Sequence, residues 1–115
     1  MTFTKPQSFK SVTIDEARAK SEQGFAQIID IRAPFDFAGG HIPGAINFPG
    51  QSLRTRAPQL KRDREVLLVS AEGQQSRDIC TLALSMGFTD VGNIEGGFEA
   101  WIEAGYPVHT ISDSM

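Results

Sequence analysis

Short apolar runs alternate with amphipathic stretches along this chain. Ala26-Gln27-Ile28-Ile29-Asp30-Ile31 and Glu65-Val66-Leu67-Leu68-Val69 are aliphatic runs of strand length, the pattern of strands buried on both faces. Thr89 to Ile94 and Gly44 to Asn47 are weaker strand candidates. Between them the period lengthens. Thr13 can cap a helix running from Ile14 towards Lys20, with Asp15 and Glu16 in the first turn, where the helix dipole favours acids. In Ser76 to Met86 the residues Ile79, Leu82, Ala83 and Met86 fall at i, i+3, i+4 and i+7, so this stretch predicts an amphipathic helix stopped by Gly87. Phe98 to Ala104 predicts a short last helix, with Gly105 as terminator and Pro107 just beyond. Alternating strands and helices imply an α/β domain on a mostly parallel sheet. Sites in such sheets form at the carboxyl ends of strands, which directs attention to the segment after Val69.

Length narrows the picture to one domain over residues 1–115 with short polar tails, because 115 residues fall within the usual single-domain range. Hydrophobic residues make up 40% and charged ones 22%, a globular balance rather than a disordered one. The start, Met1 to Lys20, is polar and has no long apolar run, so no signal peptide or membrane span is expected and the plain expectation is a cytoplasmic protein. A net charge of −3 does not suggest a nucleic-acid binder. The charge is uneven: residues 1–57 carry seven basic and five acidic side chains, and residues 58–115 four and nine. Arg54, Arg56, Lys61, Arg62 and Arg64 form a basic cluster, read first as solvated surface and second as a docking patch for an acidic partner or RNA. The one cysteine, Cys80, excludes an intrachain disulfide and a multi-cysteine zinc cluster. Neither a metal nor a cofactor is expected.

Ser70-Ala71-Glu72-Gly73-Gln74-Gln75-Ser76 runs from the end of an apolar strand into a helix. A turn of that kind aims several backbone N–H groups and a positive helix end into one concavity, a cradle for small anions. Around it lie two long signatures. Upstream are Asp30-Ile31-Arg32, Asp36-Phe37 and Gly40-His41-Ile42-Pro43-Gly44-Ala45-Ile46-Asn47-Phe48-Pro49. Downstream are Gly87-Phe88, Val91, Ile94-Glu95-Gly96-Gly97-Phe98, Trp101 and the closing Gly105-Tyr106-Pro107-Val108. Through these motifs nearly the whole chain resembles the rhodanese, or sulfurtransferase, family. The resemblance implies a central parallel sheet of about five strands with helices on both sides.

The loop itself departs from the family. Members carry a pattern like Cys-x-x-Gly-x-Arg-Ser there; this chain keeps Gly73 and Ser76 but has Ser70 for the cysteine and Gln75 for the arginine. Family chemistry takes a sulfane sulfur onto the cysteine as a persulfide, which needs a nucleophilic thiolate. A serine hydroxyl is not ionised near neutrality without a positioned base, and oxygen cannot replace sulfur as a persulfide carrier. Losing the arginine removes a fixed positive charge for an anionic donor, and Glu72 adds a negative one. Cys80 lies ten residues on, along a helix rising about 1.5 Å per residue, and reads as a buried core thiol. Arg77 is turned about 200° from the arginine position on that helix.

The expected function is therefore a non-catalytic binding or regulatory module. Its loop, Ser70 to Ser76, would take thiosulfate, sulfate, a phosphate-like anion or a protein partner, with no nucleic acid or membrane. Two alternatives remain: a thiosulfate sulfurtransferase or persulfide carrier whose nucleophile Ser70 has replaced, and a hydrolase or phosphatase-like enzyme built on Ser70. The last would need a base, and His41 reads first as a histidine bonded to backbone in a structural corner. His109 has no evident partner. Asp30 and Arg32, two apart on a strand, project from one face and read as an ion pair that organises nearby loops, with a site-lining role open. Trp101 and Phe98 read as the packing face of the last helix.

Overall fold

The structure, a computed structural model, describes residues 8–111. The extreme ends of the expected polar tails, residues 1–7 and 112–115, lie outside the described residues. Five strands form one parallel sheet in the order β1-β5-β4-β2-β3: β1 Lys10–Val12, β2 Gln27–Asp30, β3 Ile46–Asn47, β4 Val66–Val69 and β5 Val91–Ile94. The helices are α1 Ile14–Gln23, α2 Pro34–Gly39, α3 Leu53–Arg56, α4 Gln75–Ser85 and α5 Gly97–Glu103, with a 3₁₀ turn at Ala57–Gln59. This is the architecture expected from the sequence.

The central strand shows why its apolar run is unbroken. All four residues of β4 are buried, and successive side chains point to opposite faces. Val66 and Leu68 join Ile29 and the α3 and α4 residues Leu53, Ile79, Cys80 and Ala83 on one side. Leu67 joins Ile28, Ile94, Ala17 of α1 and Trp101 of α5 on the other, with Val69. Two cores flank one sheet, so β4 has no polar face.

Helix α1 starts as expected. Thr13 Oγ1 accepts from the Glu16 amide at 3.1 Å, and Glu16 Oε1 accepts from the Thr13 amide at 2.9 Å, a reciprocal capping box. Elements at 10–12, 34–39 and 53–59 were not anticipated. They are short, and their burial pattern is set by neighbours rather than by a readable period. Among the described residues no helix is long and apolar enough to cross a membrane.

Two members of the basic cluster lie against aromatic rings, and the other three are exposed. Arg56 stacks over Phe48 at 4.2 Å and donates to the Asn47 carbonyl, while Arg62 stacks over Phe88 at 4.7 Å and donates to the Met86 carbonyl. Two of its five charges are thus engaged in covering the α3/α4 core.

Candidate functional site

Ser70 follows β4 directly, so the loop Ser70–Ser76 opens at the carboxyl edge of the sheet beside β5 and β2. There it borders a hollow of about 210 Å³ lined by Ser70, Ala71, Glu72, Gln74 and Gln75. Gly73 and Ser76, also expected in the cradle, are buried beneath it and shape it from below.

Two structural facts hold the loop in this form. Its carbonyls turn away from the hollow: Ser70 O accepts from the Phe98 amide and Ala71 O from the Glu99 amide, both at 2.9 Å, which satisfies two free N–H groups at the start of α5. The second fact is close backbone contact. Gly97 has φ +64°, and a Cβ there would lie 2.4 Å from Ser70 O and 2.7 Å from Ala71 O; Gly73, at φ +94°, would bring a Cβ 2.8 Å from the Gly96 nitrogen. Only glycine fits at either place. The amides of Ala71, Glu72, Gln74 and Gln75 take no acceptor among the described residues.

The Ser70 side chain sits at the base of the loop, only 1% exposed. Its Oγ accepts from the Gly73 amide at 3.1 Å and from the Ser76 amide at 3.3 Å. Ser76 Oγ lies 2.9 Å away and donates its own hydrogen to Asn93 Oδ1 at 2.5 Å, so the Ser70 hydroxyl is the donor to Ser76. Asn93, fully buried on β5, then donates to Gly73 O at 2.9 Å and to Glu95 Oε2 at 3.1 Å. Glu95 also accepts from Ser11 at 3.0 Å and from Arg77 at 2.6 Å. The result is a continuous chain of bonds from the Ser70 hydroxyl to a carboxylate at the surface. Burial pushes the Glu95 carboxyl up, but the bonds from Asn93 and Ser11 and the Arg77 charge outweigh it and hold the group below its usual range.

This accounts for every Ser70 valence. Both lone pairs receive amides, its hydrogen goes to Ser76, and no base lies within hydrogen-bond reach among the described residues. Cys80 offers no substitute, since it is fully buried and burial pushes its thiol up to about 12, with Glu95 adding to the rise. Arg77 is tied to Glu95 and turned from the hollow, as its helical position predicted.

The other expected residues fall outside the hollow. Asp30, fully buried, receives the Arg32 amide at 2.9 Å, Nε at 3.0 Å and Nη2 at 2.8 Å, and Arg32 also donates to Gly40 O at 2.6 Å. This is the ion pair the spacing suggested, and Arg32 stacks over Phe98 at 4.1 Å. His41 is a structural residue: its Nδ1 lies 2.7 Å from Phe37 O and its ring stacks on Phe37. His109 gains the partner its sequence context lacked, because its backbone pairs with His41 in both directions, at 2.9 and 3.0 Å. Trp101 packs as expected and donates to Pro107 O at 2.8 Å.

Asn93 is the residue sequence reasoning missed. A single asparagine in a four-residue strand interrupts no pattern. The available signal was its place two residues before the Glu95-Gly96-Gly97 run.

Comparison with known proteins agrees with this fold. The family model of the rhodanese-like domain matches residues 13–104. The chain is similar to the thiosulfate sulfurtransferase GlpE of Shewanella oneidensis, at 35% identity over 97 residues, covering 84% of this chain and 96% of that protein. Among solved structures, a rhodanese-related protein from Thermoplasma volcanium superposes with a TM-score of 0.79 at 29% identity, covering 90% of this chain and all of the other. A rhodanese-like domain protein from Staphylococcus aureus gives a TM-score of 0.79 at 28% identity, with the same coverage.

Proposed function

This chain belongs to the rhodanese family, and from that premise we propose that it is a non-catalytic member, a binding or regulatory module whose loop holds a small anion without transferring sulfur. The observation that carries the reading is Ser70 Oγ at the nucleophile position, buried and bonded to Gly73, Ser76 and, through Ser76, Asn93. Persulfide formation requires a thiolate to attack the sulfane sulfur. A hydroxyl with a pKa far above neutrality and no base beside it supplies no such electron pair. Those same hydrogen bonds weigh against a Ser70 hydrolase or phosphatase.

Anion binding draws support from the amides of Ala71, Glu72, Gln74 and Gln75 and from the start of α4, which carries a partial positive charge. Gln75 contributes amide donors but no charge. Glu72 opposes an anion. The ligand is therefore a small oxyanion such as sulfate, thiosulfate or a phosphate group, held weakly, in the millimolar range of about −4 kcal/mol. Such a group can be free or carried by a partner protein.

A second reading, thiosulfate sulfurtransfer, has the likeness to GlpE in its favour. One assay separates the two. With thiosulfate and cyanide, this protein should form no thiocyanate above the uncatalysed rate, while thiosulfate shifts the amide resonances of Ala71 to Gln75. Measurable turnover would overturn the non-catalytic reading. Unshifted amides at saturating millimolar anion would remove the anion ligand.

A further inference from the structure

Beside the loop, a separate groove of about 280 Å³ runs along α5, lined by Arg32, Ala71, Phe98, Glu99, Ile102 and Glu103. Its floor is apolar. Phe98 is half-buried and Ile102, one turn on, is 49% exposed, a large aliphatic side chain with one face covered by nothing in the described chain. Its rim is acidic. Glu99 and Glu103 are both exposed and stand four apart on one face of α5, a like-charge spacing that works against the helix itself. Neither forms an ion pair among the described residues. Among the described residues the only cation lining the groove, Arg32, is held by Asp30, the Gly40 carbonyl and the Phe98 ring, so it neutralises neither acid.

We propose that this groove docks a basic, apolar segment of a partner protein. An aliphatic side chain of the segment rests on Phe98 and Ile102, and flanking Lys or Arg side chains pair with Glu99 and Glu103. Charge complementarity selects this occupant. A lipid surface or nucleic acid presents phosphates, which two uncompensated carboxylates repel. Ala71 walls both the groove and the loop hollow, so a segment seated on α5 passes beside the mouth of the loop. The groove stands whether or not the loop transfers sulfur.

The test is an amide-shift titration of the full chain with a capped Lys-Leu-Lys tripeptide, and with capped Glu-Leu-Glu as its mirror in charge. The basic peptide should shift Phe98 to Glu103 and Ala71, and lose affinity as salt rises, because exposed pairs are screened. The acidic peptide should shift none of them. Replacing the rim with Glu99→Gln and Glu103→Gln should weaken the basic peptide about fivefold, two exposed pairs each contributing a small factor. Equal binding by that variant would overturn the proposal, as would shifts spread over other acidic surfaces, or none up to about 10 mM. Concentration-dependent shifts on α5 without any peptide would assign the groove to a second copy of this chain and also overturn it.

Discussion

The loop at 70–76 and the segment at 94–99 meet across the carboxyl edge of the sheet, and they contribute to the site in opposite ways. The loop offers side chains to the hollow: Ser70 at its base, with Glu72 and Gln75 along its wall. The segment offers almost none. It acts through the Phe98 and Glu99 amides, which bond the loop carbonyls, and through Gly97, which lets the two backbones touch. Shape therefore comes from one strip of backbone and chemistry from another set of side chains. On the proposed reading, side chains in the loop can change while its shape stays: the Glu95-Gly96-Gly97-Phe98 support stands beside a loop that carries Ser70 and Gln75.

That division can be broken from the support side. Gly97→Ala places a methyl 2.4 Å from Ser70 O at a left-handed φ. It should cost about 3 kcal/mol in denaturant unfolding, combining backbone strain with overpacking, and should shift the loop amides. Unchanged stability would mean that the loop does not rest on this contact. Asn93→Ala acts next. It strips Ser76 Oγ of its acceptor and Gly73 O of its donor in a buried place. A loss of about 2 kcal/mol is expected, from unmet polar groups. Amide exchange at Gly73 and Ser76 should speed up, and a variant as stable and as protected as the parent would show the chain of bonds to be idle.

The smallest effect near neutrality concerns Cys80. The unfolded thiol gives up its proton from about pH 9, whereas burial holds the folded one up to about 12. Between those values the unfolded state binds fewer protons, so Cys80 lowers stability as pH rises through that window and contributes no pH dependence below it. Iodoacetamide at pH 8 should leave the folded protein unmodified and alkylate one thiol in denaturant. Fast alkylation of the folded chain would restore Cys80 as a candidate for sulfur chemistry.

Much of this could be read from the chain because it rests on pattern. The run Val66–Val69 is apolar without alternation since cores cover both faces, and Ile79 and Ala83 mark the buried side of α4. The Asp30–Arg32 pair was expected from two positions on one strand, but β2 ends at Asp30 and Arg32 reaches back from the bend beyond it, its own amide bonded to Asp30 Oδ1. What stayed hidden depends on contacts distant in sequence. Strand β1 has only three residues with one of them buried, and it exists because Lys10, Ser11 and Val12 pair with Gly92, Asn93 and Ile94. The Pro34–Gly39 helix has no capping side chain to announce it. His109 looked unpartnered because its bond to His41 is between backbones 68 positions apart. Asn93 belongs to the same class: it is made important by Ser76 and Gly73, seventeen and twenty residues before it.

The central claim is that the cradle still has a shape suited to a sulfur nucleophile and lacks only its chemistry. The Gly73 and Ser76 amides converge on Ser70 Oγ at 3.1 and 3.3 Å, the second beyond the usual range for an oxygen acceptor, so the same two donors can face a sulfur atom there. The direct measurement is mass spectrometry of Ser70→Cys/Gln75→Arg after exposure to thiosulfate, beside the unaltered protein. The account predicts one added sulfur atom on the double variant, thiocyanate formation when cyanide follows, and neither in the parent. A double variant that folds, exposes a reactive thiol at position 70 and takes up no sulfur would contradict it.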